Sequence, residues 1–486
     1  MLTQTVYEDS RLSFWLRVRE FAVPPAMIGA ATARRLAGDW AGACAAAAVD
    51  IDFNLRFVAR AHGRELAARL RADLRHLAPD LLRWHMPRIA PDGLLRPGLT
   101  ITLARYEGTR REGEPPVHLV ARTPPAWADA GQRISLALWD GSRSLHETGA
   151  GHHPHARPDR RFRLDLHRHL WDARRTDELR IRSGAGPDPD PRPDPDPEGL
   201  VPPELHCAVG RWAAEAGIVL RAEGRTGGHT RRRPEGPPDG RPDGRPDGIV
   251  TVRVGTRHRL DLHLVPAGDG SGPPELRITA AAPDARAAPL PVLPDAATWV
   301  PPDLELLRNG LIHAERLHPL VARALVSDHA PAGPAPAGDR AGVPHLVECR
   351  GAVHRIGLAD GVLVPLDHDP AEIRREELLV ALTGTPLPCL QAIDAAHRRP
   401  DCLTGVRERL AHGDTAGALA VVEGLLGPEA VLRTGALLDE LAAAAQRRIA
   451  YGLFRAGLAG RGPDRLPPRS PRPRGLRSHP RHTTAR

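Results

Sequence analysis

Three tracts decide how this 486-residue chain is divided: 186–198 (GPDPDPRPDPDPE), 237–248 (PPDGRPDGRPDG) and 330–338 (APAGPAPAG). Each proline removes a backbone donor and fixes φ, so none of these tracts can supply a helix or the interior of a sheet. The first reads as a stiff extended linker, and the second repeats a turn-forming tetrapeptide. Cores must therefore form between them. Hydrophobic residues, at 41%, are sufficient for that, but aromatics at 3% place most of the burden on Leu, Val and Ala.

The expected fold class is α+β. We divide the chain into a helical N-terminal domain (1–95), a β-rich unit (96–184) and a Pro/Asp-rich linker (185–200). A helix plus a second β-rich unit follows (201–295, with a low-complexity insertion at 229–248). A helical C-terminal domain (296–460) carries a β-hairpin at 346–367, and residues 461–486 form a disordered Arg/Pro-rich tail. In the first domain Leu55, Val58, Ala59, Leu66, Leu70, Leu74, Leu77, Leu81 and Leu82 recur at intervals of three and four, the period of an amphipathic helix. Leu99, Ile101 and Leu103 then alternate with Thr100, Thr102 and Ala104, which predicts a half-buried strand. Segments 117–122 and 134–139 continue it. Helices are also expected at 202–216 and 304–326. The run Asp369-Pro370-Ala371-Glu372 supplies a helix N-cap, an N-terminal proline and a capping glutamate.

Two internal likenesses stand out. Residues 161–167 (RFRLDLH) and 257–263 (RHRLDLH) agree at six of seven positions, and each is followed by a related segment, ELRIR from Glu178 and ELRIT from Glu275. This predicts duplicated β-hairpin units around the central helix. Residues 35–45 (RLAGDWAGACA) and 409–420 (RLAHGDTAGALA) share a second pattern, with His412 as an insertion. A helix ending at Gly-Asp, followed by a helix of small residues, is similar to one hairpin of a tetratricopeptide-type repeat, without that family's 34-residue period.

The 67 basic residues are all arginine. A chain without lysine cannot use a P-loop lysine, a Schiff-base lysine or a Ser-x-x-Lys pair. Asparagine, tyrosine, phenylalanine and methionine are scarce as well, the composition of a GC-rich bacterial coding sequence. Net charge follows position: eight arginines against Asp464 in residues 461–486 account for seven of the net eight positive charges. Five scattered cysteines without a C-x-x-C indicate buried thiols and a cytoplasmic chain. No apolar run is long enough to span a membrane.

Six histidines (146, 152, 153, 155, 167 and 169) fall within 24 residues. On a strand, Asp165, His167 and His169 would share one face and could converge on a metal. The competing reading, and the one we expect, is a solvated strand face beside a polar loop. His313, Glu315 and His318 have the wrong spacing for a helical zinc motif. Gly270-Ser271-Gly272 lacks the glycine that a nucleophile elbow requires, and no cofactor motif is present. These exclusions favour a non-catalytic protein-interaction or scaffold protein with a protein partner. The alternatives are a metal-dependent hydrolase using Asp165, His167 and His169, or a nucleic-acid-associated protein anchored by the basic tail.

Overall fold

The computed structural model describes residues 11–107, 115–129, 132–141, 153–185, 199–202, 205–224, 248–255, 258–265, 275–281, 290–326, 345–349, 352–359, 362–365, 405–426 and 436–458, with a few positions between 367 and 378. The three proline tracts and the tail lie almost wholly outside the described residues. The class is α+β, with mixed helices and sheets. Among the described residues no helix is long and apolar enough to cross a membrane.

Residues 11–17 are helical and run into a π-helical turn, Val18–Ala22. Helix α1 (Pro25–Leu36) and α2 (Trp40–Ala46) precede strand β1 (Val49–Ile51). Next come α3 (Leu55–Ala61), α4 (Arg64–His76) and α5 (Pro79–His85). In α4 the buried set Leu66, Leu70 and Leu74 repeats every four residues, as its periodicity predicts. Asn54 caps α3, its side chain accepting from Arg56 N at 2.8 Å. A short ribbon, β2 (Arg88–Ile89) with β3 (Leu94–Leu95), leads to β4 (Thr100–Tyr106), β5 (Val117–Arg122) and β6 (Ile134–Trp139). The sheet order is β1-β6-β5-β4, with β1 parallel to β6 and the other pairs antiparallel.

This sheet and the N-terminal helices share one core, which also takes in Leu306 to Ala324. Residues 95 and 96 therefore lie inside a continuous unit. Strand β4 is buried on both faces, contrary to its half-buried sequence pattern. Thr100 and Thr102 are buried with it, and Thr100 Oγ1 donates to the His155 carbonyl at 2.6 Å. A hydroxyl that finds a partner can occupy an interior position that alternation alone assigns to solvent.

A second core joins α7 (Val209–Ala222) to a three-stranded sheet, β7 (Ile249–Val254), β8 (His258–Val265) and β9 (Glu275–Ala280). Here the period of two holds: Val250, Val252 and Val254 face Trp212 and Leu262. The expected duplication is overturned by this sheet. RHRLDLH falls mostly in β8 and ELRIT in β9, whereas RFRLDLH forms turns and ELRIR ends in a short helix, α6 (Leu179–Arg182). Strand β8 has a partner on each side. Segment 161–167 bonds β4 mainly through Asp165 N to Thr102 O (2.9 Å), and the indole of fully buried Trp171 takes the Leu164 carbonyl (3.0 Å). Near-identical residues follow the partners available to them. The described residues from 153 to 184 contain no strand.

Two expected helices are also corrected. The one placed at 202–216 begins at Val209. The one placed at 304–326 divides into α9 (Pro302–Arg308), a 3-10 turn (Ala314–Arg316) and α10 (Pro319–Leu325), after a short α8 (Asp295–Thr298). Gly310, with φ of 64°, closes α9, and Pro319 opens α10.

Toward the C-terminus, β10 (His345–Cys349), β11 (Ala352–Ala359) and β12 (Val362–Pro365) form an antiparallel sheet, one strand more than the expected hairpin. Asp369 Oδ1 accepts from Ala371 N at 2.9 Å, the cap read from sequence. A third core unites α11 (Val406–Ala411), α12 (Thr415–Leu426) and α13 (Ala436–Arg455). The α1–α2 and α11–α12 hairpins share one joint. Asp39 and Asp414 cap the second helices, accepting from Gly42 N (2.8 Å) and Gly417 N (2.9 Å). Arg34 and Arg409 reach the same aspartates at 3.1 and 3.0 Å. Arg409 thus corresponds to Arg34, and no insertion at His412 is needed. Helix α13 docks on the first unit, where Tyr451 Oη donates to Asp50 (2.6 Å) and Arg455 pairs with Asp52.

Candidate functional site: an arginine-lined cavity

Where the first and second cores meet, the structure forms a half-open cavity of about 780 Å³. Four segments build it. The N-terminal helix presents Arg11, Phe14 and Trp15 on one face, with Arg17 beside them. The end of α5 and strand β2 contribute Trp84, His85, Met86 and Arg88. The turns after β6 bring Arg161, Phe162, Arg163 and His169. Arg211 of α7 and the α8 region, with Asp295 and Trp299, complete the wall.

Two features separate this lining from the rest of the chain. Of only eight tryptophans, three tyrosines and six phenylalanines in the protein, five line the cavity. Phe14, Trp15 and Trp84 form a continuous cluster, with ring centroids 5.0 and 5.4 Å apart. The lining also holds seven arginines (11, 17, 88, 96, 161, 163 and 211) against a single carboxylate, Asp295.

Four of the seven lie against a carboxyl group. Arg11 lies 3.2 Å from Glu305, Arg17 3.2 Å from Glu408 and Arg163 2.8 Å from Asp165, while Arg161 pairs with Asp295. The other three, Arg88, Arg96 and Arg211, make no ion pair among the described residues. Arg88 donates to the carbonyls of Gly93 (2.8 Å) and Arg83 (2.7 Å), and Arg211 donates to that of Trp299 (3.2 Å). The Nε of each is buried without a partner. Burial, with Arg83 close by, holds the Arg88 guanidinium well below its ordinary pKa, and burial lowers Arg211 to about 10.

The imidazoles are driven the same way. Burial, then the charge of Arg19, pushes His85 down to about 3, and burial followed by His167 takes His169 far below its usual value. Both are neutral at pH 7, and His85 Nε2 and His169 Nδ1 have no partner. The site therefore combines guanidinium N–H donors, neutral imidazoles and an indole wall. Guanidinium forks match carboxylate and phosphate oxygens in pairs, so the chemistry this lining performs best is anion recognition.

Of the three metal candidates, only His169 reaches the cavity. The segment is not a strand, because turns and a 3-10 helix (Arg168–Leu170) replace the expected alternation. Asp165 receives two hydrogen bonds from Arg163, each 2.8 Å. His167 lies 3.1 Å from Glu215, which Arg182 holds with two contacts of 2.6 Å. Among the described residues no group of three or more His, Cys, Asp or Glu side chains is placed to hold a metal. His318, from the rejected zinc pattern, caps α10: Leu320 N donates to its Nδ1 (3.1 Å), so its Nε2 carries the proton toward Asp80 (2.9 Å). Cys44 is buried, and burial raises its thiol to about 12.

The cavity was hidden in sequence because its arginines are spread from residue 11 to residue 211 among many others. One signal was legible: Trp84-His85-Met86-Pro87-Arg88 sets a tryptophan and a methionine two residues apart in a chain with eight and three of them. No protein family matches this chain, and neither does any curated protein or solved structure compared with it.

Proposed function

We propose that this is a non-catalytic binding protein that takes an anionic ligand in the arginine-lined cavity. One observation carries the reading: seven lining guanidiniums face one carboxylate, and three of the seven make no ion pair among the described residues. Arg88 and Arg211 each bury an Nε without a partner while Arg96 is exposed at the rim, and a bound anion supplies partners to such guanidiniums. Titration calorimetry of the full chain with pyrophosphate and with citrate tests it. Replacing Arg96 and Arg211 by Gln should weaken binding at least tenfold, since a hydrogen bond to a charged group contributes about 1.5–3 kcal/mol. Unchanged affinity in that double variant would remove the cavity from the function.

The scaffold role read from the sequence is compatible with this site, the ligand then acting as the signal that a protein partner reads. The scattered cysteines support a cytoplasmic location, which cell fractionation tests. Nucleic-acid association through residues 461–486 is a separate proposal. Salt-sensitive DNA retention should then disappear when the tail is deleted.

A further inference from the structure

We infer that the ligand is an elongated polyanion with an aromatic end, of the nucleoside triphosphate class, whose distal phosphates occupy a second basic cleft beside the cavity. This rests on the anion-binding reading above and adds the ligand's shape, charge and class. The second cleft, about 490 Å³, is lined by Arg157, Arg160, Arg161 and Arg253, with Asp159 as its carboxylate. Asp159 Oδ1 accepts from the backbone N–H of Arg161 at 2.9 Å, which leaves four guanidiniums against one carboxylate in this cleft. Arg157, Arg160 and Arg253 make no ion pair among the described residues.

The two spaces share a wall. Arg161 lines both, strand β7 sends Arg253 to one while the following Gly255 borders the other, and residues 292–295 do the same with Val292 and Asp295. Arg161 binds Asp295 through its Nε, so its remaining N–H groups are available to an oxyanion passing from one space to the other.

Charge and shape then select the class. Guanidiniums that make no ion pair among the described residues occur on both sides of Arg161, more than a single carboxylate or phosphate can engage. A chain of phosphates places several charges along a line. The Phe14, Trp15 and Trp84 cluster lies in the larger space alone, which suits an aromatic base at one end of the ligand and phosphates at the other. The larger volume is that of a site for a compound of this size.

The experiment is titration calorimetry of the full chain with ATP, UTP, AMP and tripolyphosphate, repeated on an R157Q/R160Q/R253Q variant. Its three sites are exposed, so the fold should persist, as circular dichroism would verify. ATP and UTP should bind at least tenfold tighter than both AMP and tripolyphosphate, and the triple variant should lose the advantage over AMP while its affinity for AMP is unchanged. Equal affinity for ATP and AMP, or an ATP affinity untouched by the triple variant, would overturn the inference. In that case pyrophosphate binding that still depends on Arg96 and Arg211 would leave the anion-binding reading standing. Tighter binding of a short single-stranded oligonucleotide than of ATP would also overturn it, in favour of a nucleic-acid ligand.

Discussion

Replacing Glu305 by Gln should make the protein more stable at pH 8 and leave it nearly unchanged at pH 4.5. Glu305 sits on α9 with only 5% of its surface exposed, and burial raises its carboxyl from 4.5 to about 7 despite Arg11 at 3.2 Å. A carboxyl whose folded pKa exceeds its unfolded one favours the folded state in its protonated form. Its contribution is intact below pH 4.5 and is lost as the pH rises to 7. At about 1.4 kcal/mol per pKa unit the full loss is about 3 kcal/mol. Arg11 is one-fifth exposed, so solvent screens the pair and a net effect of about 1–3 kcal/mol is the better expectation. Glutamine removes the charge and keeps the shape, and Arg11 retains its bond to the Leu205 carbonyl at 3.0 Å. Thermal unfolding followed by tryptophan fluorescence reads the result, at about 2–4 °C per kcal/mol for a unit of 150–250 residues. The variant should melt about 2–12 °C higher than the parent at pH 8 and within about 1 °C of it at pH 4.5. A variant that melts lower at pH 8 would refute the reasoning, because it would mean that ionised Glu305 and Arg11 form a net stabilising pair.

Two further perturbations test the packing. Alanine at Gly42 or Gly417 would put a Cβ 2.0 or 2.1 Å from the capping carboxylate of Asp39 or Asp414, displacing the cap. Each should cost about 1 kcal/mol or more in urea denaturation, and a neutral result would show that the caps contribute nothing. Asp73→Ala should cost about 3 kcal/mol, because Asp73 accepts from Tyr106 Oη at 2.8 Å and pairs with Arg168 and Arg174 in a mostly buried network. The Tyr106 hydroxyl would be left buried without a partner, and tyrosine fluorescence together with denaturation reads the loss.

Local grammar was legible wherever a segment's own residues supply its partners. The cap at Asp369 and the four-residue repeat of α4 both depend on neighbours within one or two turns. The Gly-Asp joint was visible too, although only the shared Arg34–Asp39 and Arg409–Asp414 contacts set its true alignment. The duplication misled because RLDLH has no intrinsic preference strong enough to outweigh its surroundings. In β8 it is flanked by two strands, and at 163–167 by Trp171 and the edge of β4.

By itself the sequence determined the α+β class, the exclusion of lysine chemistry and the places where no core can form, since proline geometry and side-chain chemistry travel with the residue. Tertiary structure alone decided that His169 faces a cavity while Asp165 is held by Arg163 and His167 by a hydrogen-bond contact with Glu215. It also gathered arginines 200 positions apart, three of which make no ion pair among the described residues. Charge compensation depends on distance in space, and a linear sequence does not record that distance.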